Sequence, residues 1–131
     1  MAVGFDLDGV LTLVPIRINF KPPWWFGLWL AFVPPNKKML EILNKCKANN
    51  DKIILVSARP KQLGRVTRWW LKRHGVSYDK IFLIDSGKRK EERKLEIIRR
   101  EGIDKFFDDD KAIVNYLKEQ KINAYFPMRV S

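Results

Sequence analysis

One cysteine and one histidine in 131 residues remove whole classes of chemistry at the outset. With Cys46 alone, no disulfide closes within the chain and no thiolate-based metal site can be built. Cys46 falls in an apolar helical pattern, where a small buried hydrophobe is expected, and a reducing, cytoplasmic compartment fits. His74 stands just before Gly75 at the end of a predicted helix, the place of a C-terminal helix residue rather than a catalyst. No apolar run approaches the roughly 20 residues of a membrane span, and the run from Trp24 to Val33 is too short. No basic stretch followed by an apolar one opens the chain, so no signal peptide is expected. Repeats and low-complexity linkers are absent too, which leaves one domain over 1–131, with 14–35 as an insertion.

Acid is also scarce. Fifteen Asp and Glu face 26 Lys and Arg, a formal net charge of +11. Such an excess favours anionic partners: nucleic acid, phosphorylated substrates or an acidic membrane surface. Charge alone fixes neither fold nor chemistry. With 46% hydrophobic and 31% charged residues, the composition is that of a globular domain with a real core and not of a disordered chain.

What is present alternates. "AVGFDL" (2–7), "KIILVSA" (52–58), "KIFLI" (80–84), "KFF" (105–107) and "NAYF" (123–126) are short apolar runs that read as buried strands. Between them, 35–50, 60–74, 91–102 and 111–121 carry helical periodicity. Pro60 opens one, and Gly75 and Gly102 stop two of them. The alternation predicts an α/β domain, a Rossmann-like three-layer sandwich around a mostly parallel five-stranded sheet. Such sheets bind ligands beyond the carboxyl ends of their strands. Asp6 and Asp8, Ser57, and Asp108 to Asp110 all fall at strand ends.

Two carboxylates at i and i+2, followed by Gly9, let the backbone turn sharply at an acidic site. A second acidic cluster after another strand completes a hard-oxygen pocket of the kind that suits Mg²⁺ with a phosphate. A cation is needed there, because several carboxylates cannot face a phosphate without one. Asp110 precedes a helix and reads as its N-cap.

These residues carry a resemblance. "FDLDGVLT" resembles motif I of the haloacid dehalogenase (HAD) superfamily, "IILVSAR" its motif II and "KFFDDDKAIVNYL" its motif IV, in matching order over nearly the whole chain. The resemblance implies a near-capless, Mg²⁺-dependent phosphomonoester hydrolase. Asp6 would be the nucleophile that forms an aspartyl-phosphate, and Asp8 the general acid and then base. The metal would be held by Asp6, the Asp8 carbonyl, Asp108 and Asp109. Ser57, Ala58, Arg59, Gly9 and a lysine would receive the phosphate. Lys94 fits the lysine position best, with Lys90 and Lys88 as alternatives. Asp8 implies phosphate transfer rather than dehalogenation. The stretch "VSARPKQLGRVTRWWLKRHGV", with Arg59, is loosely similar to the phosphatase domains of polynucleotide kinase-phosphatases. The expected substrate is a phosphorylated small molecule or nucleotide, with a polynucleotide 3′-phosphate as the narrower alternative. The competing class is a non-catalytic adaptor of the same fold.

"KPPWWFGLWLAFVPP" (21–35) stands where that family inserts its caps, after a "TLVPIRINF" segment that alternates as a flap strand would. It is read as a small aromatic lid with ends stiffened by Pro-Pro pairs. Trp24, Trp25 and Trp29 have three candidate fates: minor core, contact with a second subunit or a membrane surface, or the substrate entrance. In the helix over 60–74, Leu63, Val66 and Trp70 make the inward stripe. Arg65, Arg68, Trp69 and Lys72 fall opposite, a solvated face or a nucleic-acid track.

Overall fold

The computed structural model describes residues 1–14, 25–85, 87 and 89–128. Five strands form one sheet: β1 (Ala2–Phe5), β2 (Lys52–Ser57), β3 (Lys80–Leu83), β4 (Lys105–Phe107) and β5 (Asn123–Tyr125). All pair in parallel, in the order β3-β2-β1-β4-β5. The α/β class and the five-stranded sheet follow the sequence reading. Five helices accompany the strands: α1 (Phe26–Ala31), α2 (Lys37–Ala48), α3 (Gly64–Arg73), α4 (Lys90–Glu101) and α5 (Lys111–Glu119).

Side-chain alternation along the strands builds two cores, one on each face. Val3 and Phe5 of β1 and Ile53 and Leu55 of β2 pack with Met39 and Leu43 of α2 and with Trp70 and Leu71 of α3. Ile54 and Val56 of β2 face the other way, onto Ile97 and Ile98 of α4 and Ile113 and Leu117 of α5. Continuous apolar runs in the sequence are therefore strands covered on both sides. Cys46 is half-buried and packs against the first of these cores.

The chain reverses direction across the sheet between β1 and β4. β2 and β3 lie on one side of β1, β4 and β5 on the other. That switch point is where such sheets leave a crevice for ligands.

Several boundaries differ from the sequence reading. β1 ends at Phe5 rather than Leu7, because the Leu7 carbonyl accepts the amides of Val10, Leu11 and Thr12 and turns the chain. Residues 61–63 form a 3-10 turn, so α3 proper begins at Gly64. α1 was not foreseen as a helix. It is apolar on every side, so it shows no periodicity, and its Trp25 cap makes no side-chain hydrogen bond. The flap strand and Trp24 fall outside the described residues, save that Leu13 donates its amide to Pro34 O and Thr12 bridges Pro35.

Candidate active site

Asp6 follows the last residue of the central strand. Its amide continues the ladder to Phe107 O at 2.9 Å, and its Oδ1 accepts the Leu7 amide at 2.8 Å. Asp108 follows the last residue of β4, the strand beside β1. The parallel pairing thus sets Asp6 and Asp108 side by side although they are far apart in sequence. One oxygen each of Asp6, Asp108 and Asp109 lie within 4.8 Å of one another.

Lys94, on the buried side of α4, reaches between two of them. Its Nζ is 2.6 Å from Asp108 Oδ2 and 3.3 Å from Asp6 Oδ2. Lys90, one turn earlier, pairs with Asp110 Oδ2 at 3.4 Å instead. Lys88 lies outside the described residues. Burial would favour a neutral amine at Lys94, but Asp6 and Asp108 outweigh it and hold the ammonium above the ordinary lysine value. At Asp6, burial pushes the carboxyl well above the ordinary range. Lys94 opposes that push, Asp108 and Asp8 add to it, and the Leu7 amide opposes it.

Asp8 points elsewhere. Both its oxygens are held by Arg59, from Nε at 2.9 Å and from Nη2 at 2.6 Å. The remaining Arg59 nitrogen, Nη1, donates to Thr67 Oγ1 at 3.0 Å, and that hydroxyl donates to Leu63 O at 2.7 Å. Arg59, Thr67 and Asp8 are all buried. The sequence reading missed Thr67. The available signal was a lone hydroxyl on the inward side of a helix otherwise lined by Leu63, Trp70 and Leu71.

Ser57 ends β2 in the buried layer, and its Oγ accepts the Arg59 amide at 3.1 Å. Ala58 between them is half-buried. Gly9 has φ +80°, and a Cβ there would fall 2.0 Å from Asp109 Oδ2, so its lack of a side chain lets the motif I loop lie against the motif IV carboxylate. Asp110 caps α5 by accepting the Ala112 amide at 3.0 Å, as foreseen.

The donor set fits a divalent magnesium ion. It is all-oxygen and carboxylate-rich. Asp6, Asp108 and Asp109 each bring one oxygen to a common point, while the Asp8 carboxylate is turned onto Arg59.

Solved structures share this arrangement of strands and helices. A HAD-superfamily hydrolase from Ehrlichia chaffeensis matches with a TM-score of 0.57 at 16% identity, covering 95% of this chain and 90% of that one. The chain has the haloacid dehalogenase-superfamily fold. A D,D-heptose 1.7-bisphosphate phosphatase from B. bronchiseptica, complexed with magnesium and phosphate, matches at 0.63 and 12% identity, over 96% of this chain and 80% of that one. A chain of the Pnkp1/Rnl/Hen1 complex matches at 0.77 and 21%, over 99% of this chain and 46% of that one. A curated relative described as a putative nucleotidase, from Bacillus cereus, is 32% identical over 88 residues, 66% of this chain and 44% of that protein. This HAD-fold chain therefore spans less than half the length of that relative. No family model matches it.

Proposed function

We propose that this chain is a Mg²⁺-dependent phosphomonoester hydrolase that works through an aspartyl-phosphate on Asp6. The observation that carries the reading is the buried Lys94 ammonium between Asp6 and Asp108, with Asp109 converging on the same point. The fold and the putative nucleotidase relative support it.

Asp6, Asp108 and Asp109, with the Asp8 carbonyl, would hold the metal. Mg²⁺ held there would offset the carboxylates' charge and polarise a phosphoryl oxygen. An Asp6 oxygen attacks phosphorus while the bond to the leaving oxygen breaks. For this step Asp8 would turn from its pairing with Arg59, carrying a proton, and give that proton to the leaving oxygen. Asp8 then takes a proton from water as the water attacks phosphorus and frees Asp6. Lys94 and Ser57 bind phosphoryl oxygens and steady the charge that builds on them. Arg59 orients Asp8 between these steps.

The substrate class is a phosphorylated small molecule, with nucleoside monophosphates first because the relative is described as a nucleotidase. A 3′-phosphorylated polynucleotide is the second reading. It is favoured by the match to a chain of what is described as an RNA repair complex and by the exposed Arg68 and Lys72 of α3.

The test is phosphate release with and without Mg²⁺ from nucleoside monophosphates, sugar phosphates and a 3′-phosphorylated oligonucleotide. Asp6→Asn should lower turnover by more than about a thousandfold while unfolding stays close to wild type. Full activity in Asp6→Asn would place the nucleophile elsewhere.

A further inference from the structure

We propose that α1, together with the adjoining row of α3, is a docking face for an anionic lipid surface. α1 carries two apolar stripes. Phe26 and Leu30 face inward and pack with Val33 and Leu63. Trp25, Leu28, Trp29 and Phe32, at i, i+3, i+4 and i+7, form the second stripe. They are 53%, 60%, 49% and 72% exposed. The outer side of a helix on a water-soluble domain is normally polar, and a contiguous exposed apolar patch marks an interaction site.

The charge next to that stripe has one sign. α1 packs against α3, and α3 carries exposed Arg65, Arg68, Lys72 and Arg73 and no Asp or Glu. Val66 joins the α1 cluster, and the Trp70 indole donates to Val33 O at 2.8 Å. The next row of α3 outward is Arg65, Trp69 and Arg73, at i, i+4 and i+8. All three are exposed, and the Arg73 guanidinium lies 5.5 Å from the centre of the Trp69 ring. The apolar stripe is thus bordered by aromatic and cationic side chains.

A lipid surface meets both halves of this patch, since hydrocarbon accepts the stripe and anionic headgroups accept the border. Tryptophan is the residue favoured at that depth. A single-stranded nucleic acid would use the ring faces but leave Leu28 without a stacking role. A second copy docked through the same face would set the exposed cations of one α3 against those of the other. The Ser57–Arg59 loop leads through the 61–63 turn into α3, and Leu63 of that turn packs against α1.

The proposal concerns binding and does not rest on turnover. The test is sedimentation of the full chain with vesicles of phosphatidylcholine alone or mixed with phosphatidylserine. Binding to the mixed vesicles should be at least roughly tenfold tighter, should weaken with salt, and should shift tryptophan emission to the blue. Leu28→Ser with Phe32→Ser should lose about tenfold or more in affinity. Arg65→Gln with Arg73→Gln should flatten the salt dependence. Both pairs are exposed, so thermal unfolding should stay at the wild-type temperature. Failure to bind the mixed vesicles would overturn the proposal, as would unchanged binding in both double variants. It would equally fall if Leu28→Ser with Phe32→Ser abolished dimerisation or oligonucleotide binding while vesicle binding persisted.

Discussion

Removing Arg59 tests the buried side of the site in numbers. Arg59→Met takes away two charge-assisted bonds to Asp8, at 2.9 and 2.6 Å, and one to Thr67 at 3.0 Å. The side chains of the ion pair are only 1% and 9% exposed, so solvent screens little of it. Breaking a buried pair by removing one partner costs about 3–5 kcal/mol, because the other charge stays buried without compensation. For a domain of this length that lowers the midpoint of thermal unfolding by on the order of 10–20 °C. Asp8→Asn strands the guanidinium instead and is expected to cost somewhat less, since the amide still accepts one bond. The double variant removes both charges at once, so its loss should fall short of the summed single losses by about 2 kcal/mol or more. Urea unfolding of the four proteins at pH 7 measures this. Additivity within about 0.5 kcal/mol would refute the reasoning, and would mean that Asp8 and Arg59 are each satisfied by water. Thr67→Val, which removes one hydrogen bond of the same chain, should cost about 1 kcal/mol.

Other expectations follow from neighbouring geometry. Mg²⁺ at about a hundred times its Kd should stabilise the fold by about 2.7 kcal/mol, and Asp109→Asn should remove most of that gain in calorimetry. Gly9→Ala sets a Cβ into the Asp109 carboxylate at a φ of +80°. It should cost about 1–2 kcal/mol and weaken Mg²⁺ binding in titration calorimetry, whereas an unchanged affinity would show that the loop moves freely. The Asp79 carboxyl is held below its ordinary value of 3.8, first by the Ile53 amide and then by Lys47. A lowered carboxyl stabilises the fold above that value and loses its effect as pH falls through the folded-state value. Asp79→Asn should therefore flatten the acid limb of stability below about pH 4, by no more than about 1 kcal/mol for so exposed a pair.

The sheet and the acidic site were legible because both sit on the most local of signals. A strand buried on both faces is a short unbroken apolar run, and in this topology its candidate site residue comes just after the run ends. Asp6, Ser57 and Asp108 are all of that kind. Lys94 was harder, because Lys88, Lys90 and Lys94 stand close together in the sequence and only the packing of α4 decides which one turns inward. The Arg59–Asp8 pairing could not be read, since it depends on α3 docking beside the Ser57–Arg59 loop; for Thr67 the sequence offered only its place on the inward side of that helix. α1 failed for the opposite reason: a helix apolar all round has no period to detect.

The register of β1 against β4 has a consequence for when activity can exist. Phe5 pairs with Phe107, and the Asp6 amide completes the same ladder. The candidate nucleophile and the carboxylate beside it are thus joined only through the closure of about a hundred residues of chain. A nascent chain can set Asp6 beside Asp108 only after β4 has emerged and paired with β1. Loss of turnover on heating or in denaturant should therefore track global unfolding of the sheet, without an earlier local step, so an assay of catalysis would report on the integrity of the whole fold.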